Sequence, residues 1–136
     1  MSRNNLFIGT TAAYAYETTA LMQGCDFDYD GFGGGPWERF LKWNDARFAT
    51  LDDARRKAPV YTHAVLVDPA TAFASGAQAP ESADVRFDVP PDLRLAADSA
   101  AVDAGAPIGF CGLVSGVAPD LGAYELGEPL PHYGPR

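Results

Sequence analysis

Cys25-Asp26-Phe27-Asp28-Tyr29-Asp30-Gly31-Phe32 is the stretch with the clearest structural signal in this chain of 136 residues. Apolar and acidic residues alternate along it, and successive side chains of a strand point to opposite faces. One face would then carry Cys25, Phe27 and Tyr29, and the other only aspartates. The glycine-rich run at residues 33–36 forces a loop after it. The pattern predicts a strand with one buried and one acidic face.

The flanking sequence predicts further short elements. Residues 4–9 are typical of a short strand that a glycine closes. A helix over residues 51–58 is indicated by Thr50 as its cap, by Asp53 three positions later and by Pro59 at its end. Four more β-type runs follow, separated by turn-rich pieces, at residues 64–67, 85–87, 93–95 and 121–124.

Composition bounds the class of protein. A content of 47% hydrophobic and 21% charged residues predicts one folded domain over residues 1–136, and 14 glycines with 11 prolines favour many short elements joined by turns. The net charge of -8 repels nucleic acid and anionic membrane surfaces, so neither is expected as a partner. No apolar run follows Arg3, so we expect no signal peptide and no transmembrane helix in this chain.

Taken together, the motifs resemble the closing region of bacterial right-handed β-helix proteins with a pectate-lyase-like fold. The ending is the most telling part, although Ala100 stands where that family usually has proline. The segments that carry the resemblance are residues 3–9, 25–32, 43–44, 48–51, 63–69, 92–95, 98–105 and 118–125.

The resemblance implies an all-β fold, namely the last coils and C-terminal cap of a right-handed parallel β-helix with the short helix near 51–58. It also implies the C-terminal portion of a secreted, polysaccharide-associated protein, extracellular or at the cell surface, and a chain that is not catalytic by itself. Two alternatives stay open: a non-catalytic glycan-binding or cell-surface module, and a fragment of a polysaccharide lyase or glycoside hydrolase that retains part of its active site. We name no catalytic residue.

The expected partners are polysaccharide and a second copy of the chain. A solenoid coil contacts only its neighbours, so an open N-terminal coil would present unpaired strand edges and an apolar face. The chain is therefore expected to self-associate through that open coil.

Asp26, Asp28 and Asp30 are the candidate metal ligands. Adjacent carboxylates repel each other unless a cation separates them, and Ca²⁺ is the hard cation that takes oxygen ligands. An EF-hand is excluded because Trp37 occupies the position that requires a bidentate glutamate. The alternatives are a looser calcium site and a solvated acidic face without any ion.

Trp37 and Trp43 are the candidate residues for stacking on sugar rings, with burial in the core as the alternative. Neither His63 nor His132 has a second ligand at zinc spacing, so no zinc site is expected. Cys25 and Cys111 could form one disulfide or be two small buried apolar residues.

Overall fold

The computed structural model describes residues 1–9, 14–19, 22–58, 60–82, 84–109 and 114–130. Among these residues, no helix is long and apolar enough to cross a membrane. The elements in chain order are β1 (Leu6–Ile8), β2 (Tyr14–Glu17), β3 (Gly31–Gly33), β4 (Arg39–Trp43), β5 (Ala46–Phe48), α1 (Leu51–Lys57) and β6 (Val65–Leu66).

The first sheet is wholly parallel, with strand order β1-β3-β6. Its central strand is fully buried and reads Gly31-Phe32-Gly33. A Cβ added at Gly33 would lie 2.8 Å from the Val67 carbonyl oxygen and 2.5 Å from the Ile8 side chain, so this position has no room for a side chain. Phe32 points to the opposite face, where it packs edge-to-face on Phe40.

The second sheet is mixed, with order β2-β4-β5: β2 pairs with β4 in parallel, and β4 pairs with β5 as an antiparallel hairpin. Trp43 lies opposite Ala46, so the hairpin loop has two residues, Asn44 and Asp45. Both have positive φ, 46° and 65°, as the favoured two-residue hairpin turn requires.

The helix is confirmed. It covers Leu51–Lys57, and the Asp53 amide donates to the Thr50 hydroxyl at 3.1 Å, so Thr50 is the N-cap. Leu51 and Ala54 are its buried residues, which fix the helix against β4 and β5.

Two apolar clusters cover the parallel sheet from opposite sides. One contains Phe32, residues of β4 and β5, and the buried side of the helix. The other joins Leu6 and Ile8 to Val67, Leu95 and Leu121. The N-terminal strand thus shares a core with residues that lie more than one hundred positions further along the chain.

The β-helix that the resemblance implies is contradicted by this fold. The six strands form one parallel and one mixed three-stranded sheet, and with the helix this is not an all-β solenoid. Asn44 and Asp45 reverse the chain into a hairpin, which a coil of parallel strands does not contain. Within the described residues after Leu66 no further strand joins either sheet, and the expected strands at 85–87, 93–95 and 121–124 do not form. Leu95 makes only an isolated bridge, to Phe73.

The strand expected over residues 25–32 is also largely wrong. Only its end forms a strand, as part of Gly31–Gly33, and Phe27 makes an isolated bridge to Ser2. Tyr29 has φ 54°, a left-handed conformation that breaks the alternation of faces. The expectations at 4–9 and 64–67 are confirmed in shorter form by β1 and β6.

Candidate functional site

The three candidate metal ligands each have a different partner. Two oxygens of Asp26 accept from the Arg3 guanidinium at 2.9–3.1 Å. Asp28 pairs with His63. Asp30 is fully buried and accepts from the backbone and side-chain amides of Asn5, both at 2.9 Å. The turn at Tyr29 is what separates these carboxylates, because the alternation that would align them is interrupted there.

No group of three or more His, Cys, Asp or Glu side chains within the described ranges is placed to hold a metal ion. Calcium could bind Asp26 or Asp28 only in competition with Arg3 and His63. In this structure each of the three carboxylates already has an internal partner, and Asp30 is the buried one.

The Asp28–His63 pair joins a shielded carboxylate to an exposed imidazole ring. Asp28 Oδ2 lies 2.7 Å from His63 Nδ1, and Asp28 Oδ1 accepts from the His63 backbone amide at 2.6 Å. Burial by itself would raise the pKa of the Asp28 carboxyl. Hydrogen bonds from the His63 ring, the His63 amide and the Tyr29 amide outweigh this, and the pKa lies below its ordinary value.

The His63 ring stacks on Tyr29, with 4.4 Å between ring centroids and 12° between ring planes. The Arg3 guanidinium carbon lies 5.3 Å from the centroid of the same tyrosine ring. We call these three side chains the Arg3–Tyr29–His63 stack. The His63 side chain is 54% exposed, so its ring is presented to solvent in an orientation that Asp28 fixes.

Arg3 also borders an open groove of about 610 Å³ between the N-terminal segment and residues 119–129. We call it the Arg3 groove. Its lining residues include Arg3, Asn4, Asn5, Tyr124, Glu125 and Glu128. Tyr124 is one of the lining residues and is partly exposed.

The wall of the groove is built by the segments that carried the family resemblance. Asn4 donates to the Ala106 carbonyl and accepts from the Ala106 amide, both at 2.8 Å, and its backbone carbonyl accepts from Gly122. A Cβ added at Gly105 would lie only 2.6 Å from the Pro119 carbonyl oxygen, so this position has no room for a side chain. Close backbone packing thus explains this glycine.

A second set of hydrogen bonds closes the loop at residues 120–126. The Leu126 amide donates to Asp120 Oδ2 at 2.6 Å, and the Asp120 amide donates to Glu125 Oε1 at 3.1 Å. Asp103 accepts from the amides of Val117 and Ala118. Asp103, Asp120 and Glu125 therefore hold turns of the sequence ending.

The two tryptophans lie outside this groove. Trp43 is 4% exposed and packs edge-to-face on Phe27, so it offers no face to a sugar and fits the core alternative. Trp37 is partly buried and packs on Phe40. His132 and Cys111 lie outside the described residues, so the predictions for them stay untested.

Sequence reasoning missed two groupings: Arg3, Tyr124 and Glu128 line one groove, and Tyr29 contacts Arg3 and His63. Arg3 and Tyr124 are 121 positions apart, and nothing local in the sequence indicates that they meet.

Comparisons with protein-family models, with curated proteins and with solved structures found no match to this chain. The resemblance to the pectate-lyase-like family therefore stays a prediction from the sequence motifs.

Proposed function

We propose that this chain is a non-catalytic saccharide-binding domain of an extracellular, polysaccharide-associated protein, and that the Arg3 groove holds the sugar. The observation that carries the proposal is the open groove itself, whose lining residues include a partly exposed tyrosine together with an arginine and several acidic residues. Concave sites with an aromatic surface and a few polar groups are typical of small-molecule binding.

The chemistry of the groove suits hydroxyl-rich ligands. Tyr124 offers an apolar ring face with a polar hydroxyl at its edge, which matches the mixed character of a sugar ring. The Glu128 side chain makes no hydrogen bond within the described part of the chain and is available to accept from sugar hydroxyls. A hydrogen bond to a charged acceptor is stronger than one between neutral groups.

Charge favours a neutral saccharide over a polyuronate. Asp120, Glu125 and Glu128 all line the groove, and the charge of Arg3 is already matched by Asp26. The net charge of -8 adds a general repulsion of polyanions. We therefore propose neutral oligosaccharides as the ligand class.

Calorimetric titration with neutral gluco-, xylo- and manno-oligosaccharides, and with oligogalacturonate, tests this proposal. We expect at least one neutral oligosaccharide to bind. Tyr124→Ala should lower its affinity about 3- to 10-fold, since an aromatic contact contributes about 0.5–1.5 kcal/mol. Tyr14→Ala is the matched control, because Tyr14 is partly exposed and does not line the groove. No binding of any saccharide at millimolar concentration would overturn the proposal.

Calcium is a second ligand to test. A calcium site would use the carboxylates of Asp26 and Asp28. To coordinate an ion, these would have to release Arg3 and His63. If calcium binds, millimolar Ca²⁺ raises the melting temperature relative to excess EDTA, and Asp28→Asn abolishes the gain. Equal melting temperatures in the two buffers would eliminate a stabilising calcium site.

One observation favours catalysis as the second candidate function. His63 is exposed and its ring is oriented by Asp28, as a general base requires. A lyase acting on uronate polymers would release unsaturated products that absorb in the near ultraviolet, and His63→Ala would stop their formation. Absence of such products with pectin and alginate would leave the binding function alone.

A further inference from the structure

Strand β1 is an edge strand: no described strand pairs with its outer side, although Gly122 lies close by and its amide donates to the Asn4 carbonyl just before the strand. It is the first strand of the order β1-β3-β6, and its backbone pairs with β3 alone. Asn5 and Gly9 direct their hydrogen bonds towards β3, so the amides and carbonyls of Leu6 and Ile8 point the other way. Within the described residues none of these groups has a partner. An edge of this kind is a template for another strand.

A cleft of about 330 Å³, lined by both aromatic side chains and polar surface, lies beside this edge. It separates β1 from β2, which is the edge strand of the second sheet. Phe7, Tyr14 and Trp37 are among its lining residues, and Phe7 is 39% exposed. A strand that added to β1 would find an apolar surface for side chains on one of its faces.

The same chain carries a segment that fits this edge. Residues 85–89 read Val-Arg-Phe-Asp-Val, with apolar side chains at every second position. Val85, Phe87 and Val89 are 46%, 50% and 78% exposed, although such alternation is typical of a half-buried strand. No described residue donates to or accepts from the backbone of residues 86–89.

We infer that this chain forms a dimer in which residues 85–89 of each copy pair with the outer edge of β1 in the other copy. The backbone groups of the donor segment satisfy those of Leu6 and Ile8, and its apolar side chains enter the cleft beside Phe7. Reciprocal exchange closes the assembly as a two-fold dimer. Pro90 and Pro91 lack backbone amides, so the added strand ends there.

Charge opposes this association, because each copy carries a net charge of -8. Salt screens that repulsion while leaving backbone pairing and apolar contact intact. The dimer is therefore expected to form more readily at about 150 mM salt than at about 10 mM salt, opposite to an assembly held by ion pairs.

Analytical ultracentrifugation from about 5 to about 200 μM tests the inference, at concentrations where weak dimers populate. We expect a dimer for the unaltered chain and a monomer for Phe87→Asp, which places a charge on the apolar face of the donor. Asp88→Asn is the matched control on the other face of the same segment, and it should remain a dimer. Phe87 belongs to neither apolar cluster, so the variant is expected to fold, and circular dichroism checks this.

Mixing two variants distinguishes exchange from symmetric pairing of the two β1 edges. Phe7→Asp damages the acceptor and Phe87→Asp damages the donor, so an equimolar mixture retains one intact contact and should form heterodimers. If the unaltered chain is a monomer at every concentration, or if Phe87→Asp dimerises normally, the inference is wrong. It is equally wrong if the two variants are well folded and fail to associate on mixing.

Discussion

Asp28 is the residue through which two separate segments of the chain are held together. Its two oxygens accept from the His63 ring, the His63 amide and the Tyr29 amide, while its side chain is only 13% exposed. A charged acceptor with several donors in a shielded position stabilises the fold more than an exposed ion pair does. Asp26, paired with Arg3 and 49% exposed, offers the comparison within the same stretch.

We expect Asp28→Asn to lower the free energy of unfolding by about 1.5–3 kcal/mol at pH 7, the range for hydrogen bonds to charged groups. Asp26→Asn should cost less than about 1 kcal/mol, as exposed pairs do. Urea denaturation of both variants beside the unaltered chain measures this difference. Equal effects of the two substitutions would contradict the distinction between a shielded and an exposed carboxylate.

The contribution of Asp28 should also depend on pH. Because its pKa in the folded state is lowered, its stabilisation is fully present above the ordinary carboxyl pKa of 3.8 and is lost as the pH falls through the lower folded value. The stability gap between the unaltered chain and Asp28→Asn should therefore have its full size well above pH 3.8 and narrow in strong acid. A gap of the same size at pH 7 and at about pH 2.5 would contradict this assignment.

At the scale of elements, the hairpin shows what local sequence can and cannot reveal. Asn44 and Asp45 form its two-residue turn, yet they lack the glycine that usually marks such turns. Asp and Asn tolerate the left-handed region, though less readily than glycine. Asp45 adopts φ 65° and is 82% exposed, so its side chain adds only a marginal contact of 4.0 Å to Lys42.

Asp45→Gly should therefore stabilise the chain, by about 0.5–1 kcal/mol, because it removes the steric cost of the left-handed conformation. The neighbouring Ala46→Gly, in a strand and without positive φ, should destabilise it by a similar amount. Thermal melts of the two variants check the opposite signs. Destabilisation by both would show that the turn is not limited by backbone strain.

The helix was predicted correctly from the sequence, whereas the strand predicted over residues 25–32 was largely wrong. Thr50 and Asp53 act within one turn of each other, so their capping role was readable from the sequence and is confirmed. The alternation at 25–32 was equally regular, but Asp30 and Tyr29 contact distant partners, Asn5 and His63. Tertiary contacts overrode the local pattern there. The three aspartates of the predicted metal site therefore do not share one face of a strand.

At the scale of the whole molecule, the fold is closed by contacts between the N-terminal segment and residues 106–121. Leu6 and Ile8 pack with Leu121, and Asn4 joins the N-terminal segment to Ala106 across 102 positions of sequence. Hydrophobic periodicity in a sequence indicates local structure and cannot indicate contacts across about one hundred positions. The Arg3 groove was therefore not predictable from the sequence. The sequence ending did indicate tight turns, and its glycine and acidic residues make them, but in a two-sheet fold instead of a solenoid.

Asn4 gives the sharpest test of this closure. Its φ is 60°, which asparagine tolerates better than most residues, and its side chain makes both hydrogen bonds to Ala106. Asn4→Gly removes the hydrogen bonds and keeps the backbone unstrained, whereas Asn4→Ala also adds steric strain. We expect losses of about 1–3 kcal/mol for the glycine variant and more for alanine.

Hydrogen exchange of single amides then separates local closure from general stability. The Ala106 amide donates to Asn4 itself, while the Val67 amide donates to the Phe32 carbonyl inside the parallel sheet. In Asn4→Gly the Ala106 amide should exchange much faster, and the Val67 amide should change only by the global loss of stability. If the exchange of both amides accelerates by the same factor, the Ala106 amide exchanges only through global unfolding. The segment around Ala106 and the parallel sheet would then form one cooperative unit, without separate local opening at Ala106.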